Sequence, residues 1–66
     1  MRLSTKKIEI IQFLAQGLTD KEIAQELCIS TRTVQAHIYM ILKILNARNR
    51  VNAVVKFMNK YPRVDV

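Results

Sequence analysis

Three residues, Cys28 to Ser30, separate two helical patterns in the stretch TDKEIAQELCISTRTVQAHIYMILKIL. The first pattern opens at Thr19, which together with Glu22 makes a capping box, the pairing in which each side chain satisfies the other's free backbone N–H. Ile23, Ala24 and Leu27 then fall on one helix face. Ser30 is a second helix-start residue, and a longer periodic run follows it at once. Helices joined by so short a gap must cross steeply rather than lie antiparallel. That arrangement is the helix-turn-helix, whose second helix is shaped to enter a DNA major groove.

The flanking sequence adds two more helices and no strand. The predicted fold class is therefore all-α, with four helices at about 5–16, 20–27, 31–45 and 50–60 and the helix-turn-helix at the centre. Ser4 is the N-cap of the first helix. Ile10, Ile11, Leu14 and Ala15 form its buried face, with Ile8 and Phe13 at the edges. Gly17, the only glycine, stands where a left-handed residue closes a helix. Asn46, the second choice for such a position, follows the third helix, and Asn49 caps the fourth. Cys28 and Ile29 form the turn, with Cys28 read as a small buried hydrophobe and Ile29 tucked beneath. Pro62 ends regular structure, so 1–66 is read as one domain with 61–66 as a loose tail.

A chain of 66 residues lies near the lower limit for folding alone. Half of its residues are hydrophobic, enough for a helical core and too many for a disordered segment. Eleven Lys and Arg against five Asp and Glu leave a formal charge of +6, a strong field that favours a polyanionic partner. A lone Cys28 excludes an internal disulfide, and no cluster of metal ligands or Gly-rich phosphate loop is present. Single His37 and Cys28, on elements with other duties, supply no catalytic set, so the chain is not read as an enzyme. No cofactor is implied. No apolar stretch is long enough to span a bilayer.

On the third helix, Val34, Ile38, Ile41 and Leu45 share the inward stripe at 100° per residue, flanked by His37, Leu42 and Ile44. The opposite stripe carries Arg32, Ala36, Tyr39 and Lys43, with Thr33, Gln35 and Met40 beside it. Cations at both ends suit phosphates, while short and amide side chains between them suit base edges. On the fourth helix, Ala53, Val54 and Phe57 face inward, but Val51, Val55 and Met58 extend the apolar arc to roughly 200°, more than one core face needs. That surplus is read as a homodimer seam.

The string LSTKKIEIIQFLAQGLTDKEIAQELCISTRTVQAHIYMILKILNARNRVNAVV resembles the LuxR/GerE/FixJ-type DNA-binding domain of bacterial transcription regulators. The most specific pieces are AQGLTDKEIAQEL, the run from Ile29 to His37, and NRVNAVV. The resemblance implies four helices, a central helix-turn-helix and a dimer contact through the fourth helix. It places base reading on Gln35, Ala36 and Tyr39. It places phosphate binding on Lys21, Thr31, Thr33 and Lys43, to which Arg32 is added. It also implies double-stranded DNA as partner, a homodimer on an inverted repeat, and a bacterial cytoplasmic protein at the nucleoid, with RNA polymerase as a possible further contact.

The chain departs from the family pattern in informative places. Gln35 replaces a frequent basic residue, and its natural partner is adenine. Tyr39 and Met40 are bulkier than usual, Lys7 stands where an acid completes the first capping box, and Asn46 replaces glycine. Met1 directly before the domain start favours a stand-alone regulator of the GerE kind over an excised domain.

Other readings compete at several positions. His37 is better explained by a hydrogen-bonded structural role than by pH sensing or a phosphate contact. Arg48 and Arg50, near the exit of the third helix, are candidates to reach the DNA backbone, whereas Lys6, Lys7, Lys56 and Lys60 read as solvated surface. The alternative function is a helix-turn-helix that docks on RNA polymerase or another regulator and touches DNA weakly, for which Tyr39 and Met40 would supply the apolar contact. A basic membrane-surface helix fits less well, since it has no need of the tight turn.

Overall fold

The computed structural model describes residues 3–60. It contains α1 (Thr5–Ala15), α2 (Asp20–Leu27), α3 (Thr31–Leu45) and α4 (Arg50–Lys60), with no strand among the described residues. The proposed tail at 61–66 lies outside them.

Each helix starts where a polar side chain accepts an otherwise unpaired backbone N–H. The Ser4 hydroxyl accepts from Lys7 N at 3.3 Å. Thr19 and Glu22 complete the capping box in both directions, at 3.2 and 2.8 Å. Ser30 accepts from Thr33 N at 3.0 Å and its Oγ lies 2.8 Å from Thr33 Oγ1. At α4, Asn49 accepts from Asn52 N at 2.8 Å, while Asn52 accepts from Arg48 N at 3.0 Å.

The first three helices all end in one way. The chain turns left-handed at Gly17 (φ 92°), Cys28 (φ 57°) and Asn46 (φ 54°). The next N–H then reaches back to the helix: Leu18 to the Phe13 carbonyl, Ile29 to Ala24 and Ala47 to Leu42, at 3.1, 3.0 and 2.8 Å. This is the Schellman closure, in which a hydrophobic residue after the turn packs on the last helical turn. Glycine takes such a φ freely; Cys28 takes it at a steric cost of roughly 1–2 kcal/mol.

The core consists of Leu3, Ile10, Ile11, Ile23, Ala24, Val34, Ile38, Ile41, Ala53 and Phe57. Helix α3 runs through the middle and packs against each of the other three, while α1 also packs on α4. Its Val34, Ile38 and Ile41 are buried as the periodicity requires, and each contributes on the order of 1.5–3 kcal/mol of apolar burial. Leu45, the fourth member of that stripe, is half-buried.

Three details differ from the expectation. Helix α1 ends at Ala15, and Gln16 is its cap. Ala15 is exposed rather than buried, because packing on α3 and α4 engages mainly the Ile10 and Ile11 side of the helix. Cys28 is exposed too: a left-handed residue at the corner directs its side chain out of the turn, and Ile29, half-buried, packs on the core in its place.

Candidate nucleic-acid interface

The outer face of α3 follows from the inner one. With Val34, Ile38 and Ile41 fixed in the core, Arg32, Gln35, Ala36, Tyr39, Met40 and Lys43 are all exposed. Tyr39 retains 59% of its surface despite its size. The Lys43 ammonium sits 5.0 Å from the Tyr39 ring centroid, one turn further along the helix, a distance at which the ring's negative face attracts it. A cation and an aromatic ring thus occupy the C-terminal half of this face together.

At the other end of α3, Thr33 is exposed and Thr31 half-buried. The Thr33 hydroxyl is occupied with Ser30. Ser30 and Thr33 thus order the start of α3, where free backbone N–H groups and the positive end of the helix dipole favour an anion. Lys21, exposed, is the second residue of α2. Its neighbour Asp20 lies beside Gln35, with Gln35 Nε2 3.4 Å from Asp20 Oδ2. The start of α2 and the middle of α3 therefore adjoin on one surface.

Asp20 also receives Arg50, the first residue of α4. Arg50 Nη1 donates to Oδ1 and Nη2 to Oδ2, the latter at 3.3 Å. The Arg50 hydrogen bond holds the Asp20 carboxyl below its ordinary pKa. Partial burial opposes this, and Gln35 and the Arg50 charge reinforce it. In the sequence Asp20 stands only as an acid favoured by the helix dipole, and Arg50 only as a candidate to reach the DNA backbone. In the fold Arg50 is engaged by Asp20 instead. The two are 30 positions apart, so no local pattern signals the pair.

His37 is half-buried against α1, where Lys7 Nζ approaches its Nδ1 to 3.3 Å. An ammonium only donates, so Nδ1 accepts and the ring is neutral with its proton on Nε2. Burial lowers the His37 pKa, and the charges of Lys7 and Lys6 lower it further. Lys7, unable to complete the α1 capping box, thus ties α1 to α3. Lys56 does similar work by donating to the Asn46 carbonyl at 2.9 Å, which secures the end of α3 against α4. Neither contact was legible in the sequence.

On α4, Val51, Val55 and Met58 are exposed by 72, 50 and 42%, while Ala53 and Phe57 of the same helix are buried. A shallow groove lined by Leu14, Gly17, Leu18, Arg50, Val51 and Val54 borders this apolar face.

Among the described residues there is no group of His, Cys, Asp or Glu placed to hold a metal ion, and no helix long and apolar enough to cross a membrane.

Comparison with known proteins agrees with this architecture. Residues 1–57 match the family model described as bacterial regulatory proteins, luxR family. The nitrate/nitrite response regulator protein NarP of Escherichia coli is 41% identical over 88% of this chain and 27% of its own length. The transcriptional regulatory protein DesR of Bacillus subtilis is 40% identical over 88% of this chain and 29% of its own length. The quorum sensing-dependent transcriptional regulator RpaR of Rhodopseudomonas palustris is 46% identical over 83% of this chain and 23% of its own length. The chain thus spans about a quarter of these relatives. With the model matched from α1 into α4 across the whole helix-turn-helix, the chain belongs to the luxR family of bacterial regulatory proteins.

Proposed function

We propose that this domain is a sequence-specific DNA-binding transcription regulator that lays α3 in the major groove, as a homodimer on an inverted repeat. The observation that carries the reading is the outer face of α3, where Arg32, Gln35, Ala36, Tyr39 and Lys43 stand exposed behind a stripe of buried Val34, Ile38 and Ile41. Membership of a family of regulatory proteins supports it, as does the similarity to NarP, DesR and RpaR, which are regulators. In this reading Lys21, Thr31, Arg32, Thr33 and Lys43 hold phosphates. Gln35, Ala36 and Tyr39 meet base edges. The patch of Val51, Val55 and Met58 meets the same patch of a second copy across a twofold axis.

Selection of bound duplexes from a random pool, followed by titrations at two salt concentrations, tests the proposal. A preferred sequence and an affinity that falls steeply with salt are expected. Gln35→Ala should then flatten preference at a single base position, at a cost of about 1–3 kcal/mol there. An unchanged preference would mean that α3 does not dock in this register.

The exposure of Tyr39 and Met40, 59 and 42%, favours one alternative, a face that docks in an apolar groove on RNA polymerase or another regulator. In that case the same titrations give no sequence preference.

A further inference from the structure

We propose that Asp20, held by Arg50, is a positioning residue that fixes the amide of Gln35 and so makes it discriminate adenine from guanine. The inference rests on the reading that Gln35 faces base edges, and it adds a residue from α2 and one from α4 to the recognition surface.

An ionised carboxylate only accepts hydrogen bonds, and a guanidinium only donates them. Arg50 grips both Asp20 oxygens, leaving Asp20 Oδ2 shared with Gln35 Nε2 at 3.4 Å. The Asp20 side chain keeps only 17% of its surface, so the carboxylate is enclosed by its partners rather than free to swing. A glutamine amide normally has two nearly equal orientations, related by exchange of oxygen and nitrogen. Beside this carboxylate they are unequal, since the flipped form would set Gln35 Oε1 against a negatively charged acceptor.

One N–H of Gln35 is therefore turned to Asp20, and Oε1 with the second N–H remains for the groove. An acceptor beside one donor matches adenine, which offers the N6 donor and the N7 acceptor. Guanine offers O6 and N7, both acceptors, and asks for two donors. Gln35 with one N–H already committed has a single donor left. A free glutamine would not carry that restriction.

The Arg50 side of the arrangement answers a second difficulty. An acid at the edge of a DNA-facing surface repels phosphates, and Asp20 sits next to Lys21. Pairing with Arg50 neutralises it locally, so the carboxylate can orient Gln35 without opposing the approach of a polyanion. The three residues open α2, occupy α3 and open α4, which ties the orientation of the amide to the packing of all three helices.

Base-preference profiles of the wild type, Asp20→Ala, Gln35→Ala and the double variant decide the matter, with folding checked by circular dichroism. Asp20→Ala should lower the adenine-over-guanine ratio at the Gln35 position by roughly fivefold or more. Its affinity for random duplex should stay the same or rise, because a negative charge has left the surface. In the Gln35→Ala background Asp20→Ala should change the profile no further. A wild-type profile in Asp20→Ala, alongside a flattened one in Gln35→Ala, overturns the positioning role and leaves the docking reading intact. A wild-type profile in Gln35→Ala overturns both. Should Asp20→Ala fail to fold, the wild-type protein gives the answer by NMR: the Gln35 side-chain amide should shift in step with the acid titration of the Asp20 carboxyl, and an amide indifferent to it overturns the proposal.

Discussion

The outer faces of α3 and α4 both expose large apolar side chains, yet they are built for different neighbours. On α3, Tyr39 and Met40 are set among Arg32, Gln35 and Lys43, and the Lys43 ammonium lies over the Tyr39 ring. The apolar surface there is interrupted, and two of these three neighbours, Arg32 and Lys43, are cations. On α4, Val51, Val55 and Met58 follow one another at helical spacing and continue the buried face of Ala53 and Phe57 without a break. The α3 face lies opposite the core; the α4 face is an extension of it. The first suits a polar, negatively charged partner with flat base edges. The second asks to be covered by something equally apolar, and a second copy of the same helix satisfies that condition by symmetry. Exposure alone does not distinguish the two; what surrounds the exposed atoms does.

Charging the α4 face should have the largest effect. The double variant Val51→Asp, Val55→Asp should weaken self-association by roughly 100-fold or more, because in the proposed twofold seam the aspartates of one copy would face those of the other and like charges would have to be desolvated together. Both positions are exposed, so the monomer should remain folded. Sedimentation equilibrium reads the association, and binding to a single half-site should be retained. If the protomer association is unchanged, the seam lies elsewhere and the α4 arc has another purpose. If half-site binding disappears with it, the two faces are not separable as argued.

A smaller effect tests the other face. Lys21→Ala removes a cation at the edge of the α3 surface, which in the proposed docking holds a phosphate. Binding should weaken by a similar factor for every duplex, and the slope of log affinity against log salt should fall by about 1. Self-association through α4 should not move. A loss confined to one target sequence would mean that Lys21 reads a base instead.

Much of this was legible because local rules and helical periodicity agree along the chain. Ser4, Thr19, Ser30 and Asn49 each open a helix as their side chains dictate, and the Val34–Ile38–Ile41 stripe fixes the facing of α3. The luxR family match over residues 1–57 is in accord with the motif reading. What stayed hidden was pairing at a distance. Asp20 meets Arg50 and Gln35, and Lys7 meets His37, only because helices far apart in sequence pack side by side. Charge at Arg50 suggested a free cation, whereas the fold spends it on an acid. Cys28 failed for a local reason of another kind: residue type pointed to burial, but the left-handed turn decides where the side chain goes.

That turn yields the smallest prediction, and one that both faces should ignore. Gly17, Cys28 and Asn46 hold the same left-handed position at three successive helix ends. Of the three, Cys28 is the residue least suited to it, since it has neither the freedom of glycine nor the short polar side chain that makes asparagine tolerable. Its thiol is exposed and packs in no core, and the side chain's contribution to the turn is a weak approach of Sγ to the Gln25 carbonyl at 4.0 Å, so little is lost by removing it. Relief of the backbone strain should outweigh the greater chain entropy that glycine gives the unfolded state. Cys28→Gly is therefore expected to raise stability by about 0.5–1 kcal/mol in urea unfolding. The closing bonds from Cys28 and Ile29 to Gln25 and Ala24 use backbone atoms alone and survive the change. DNA affinity and self-association should stay at wild-type values, because α2 and α3 keep their crossing. A loss of stability would show that the Sγ contact to the Gln25 carbonyl supports the turn by more than its 4.0 Å length suggests, and a change in DNA affinity would show that the turn sets the pose of α3 more finely than its backbone geometry requires.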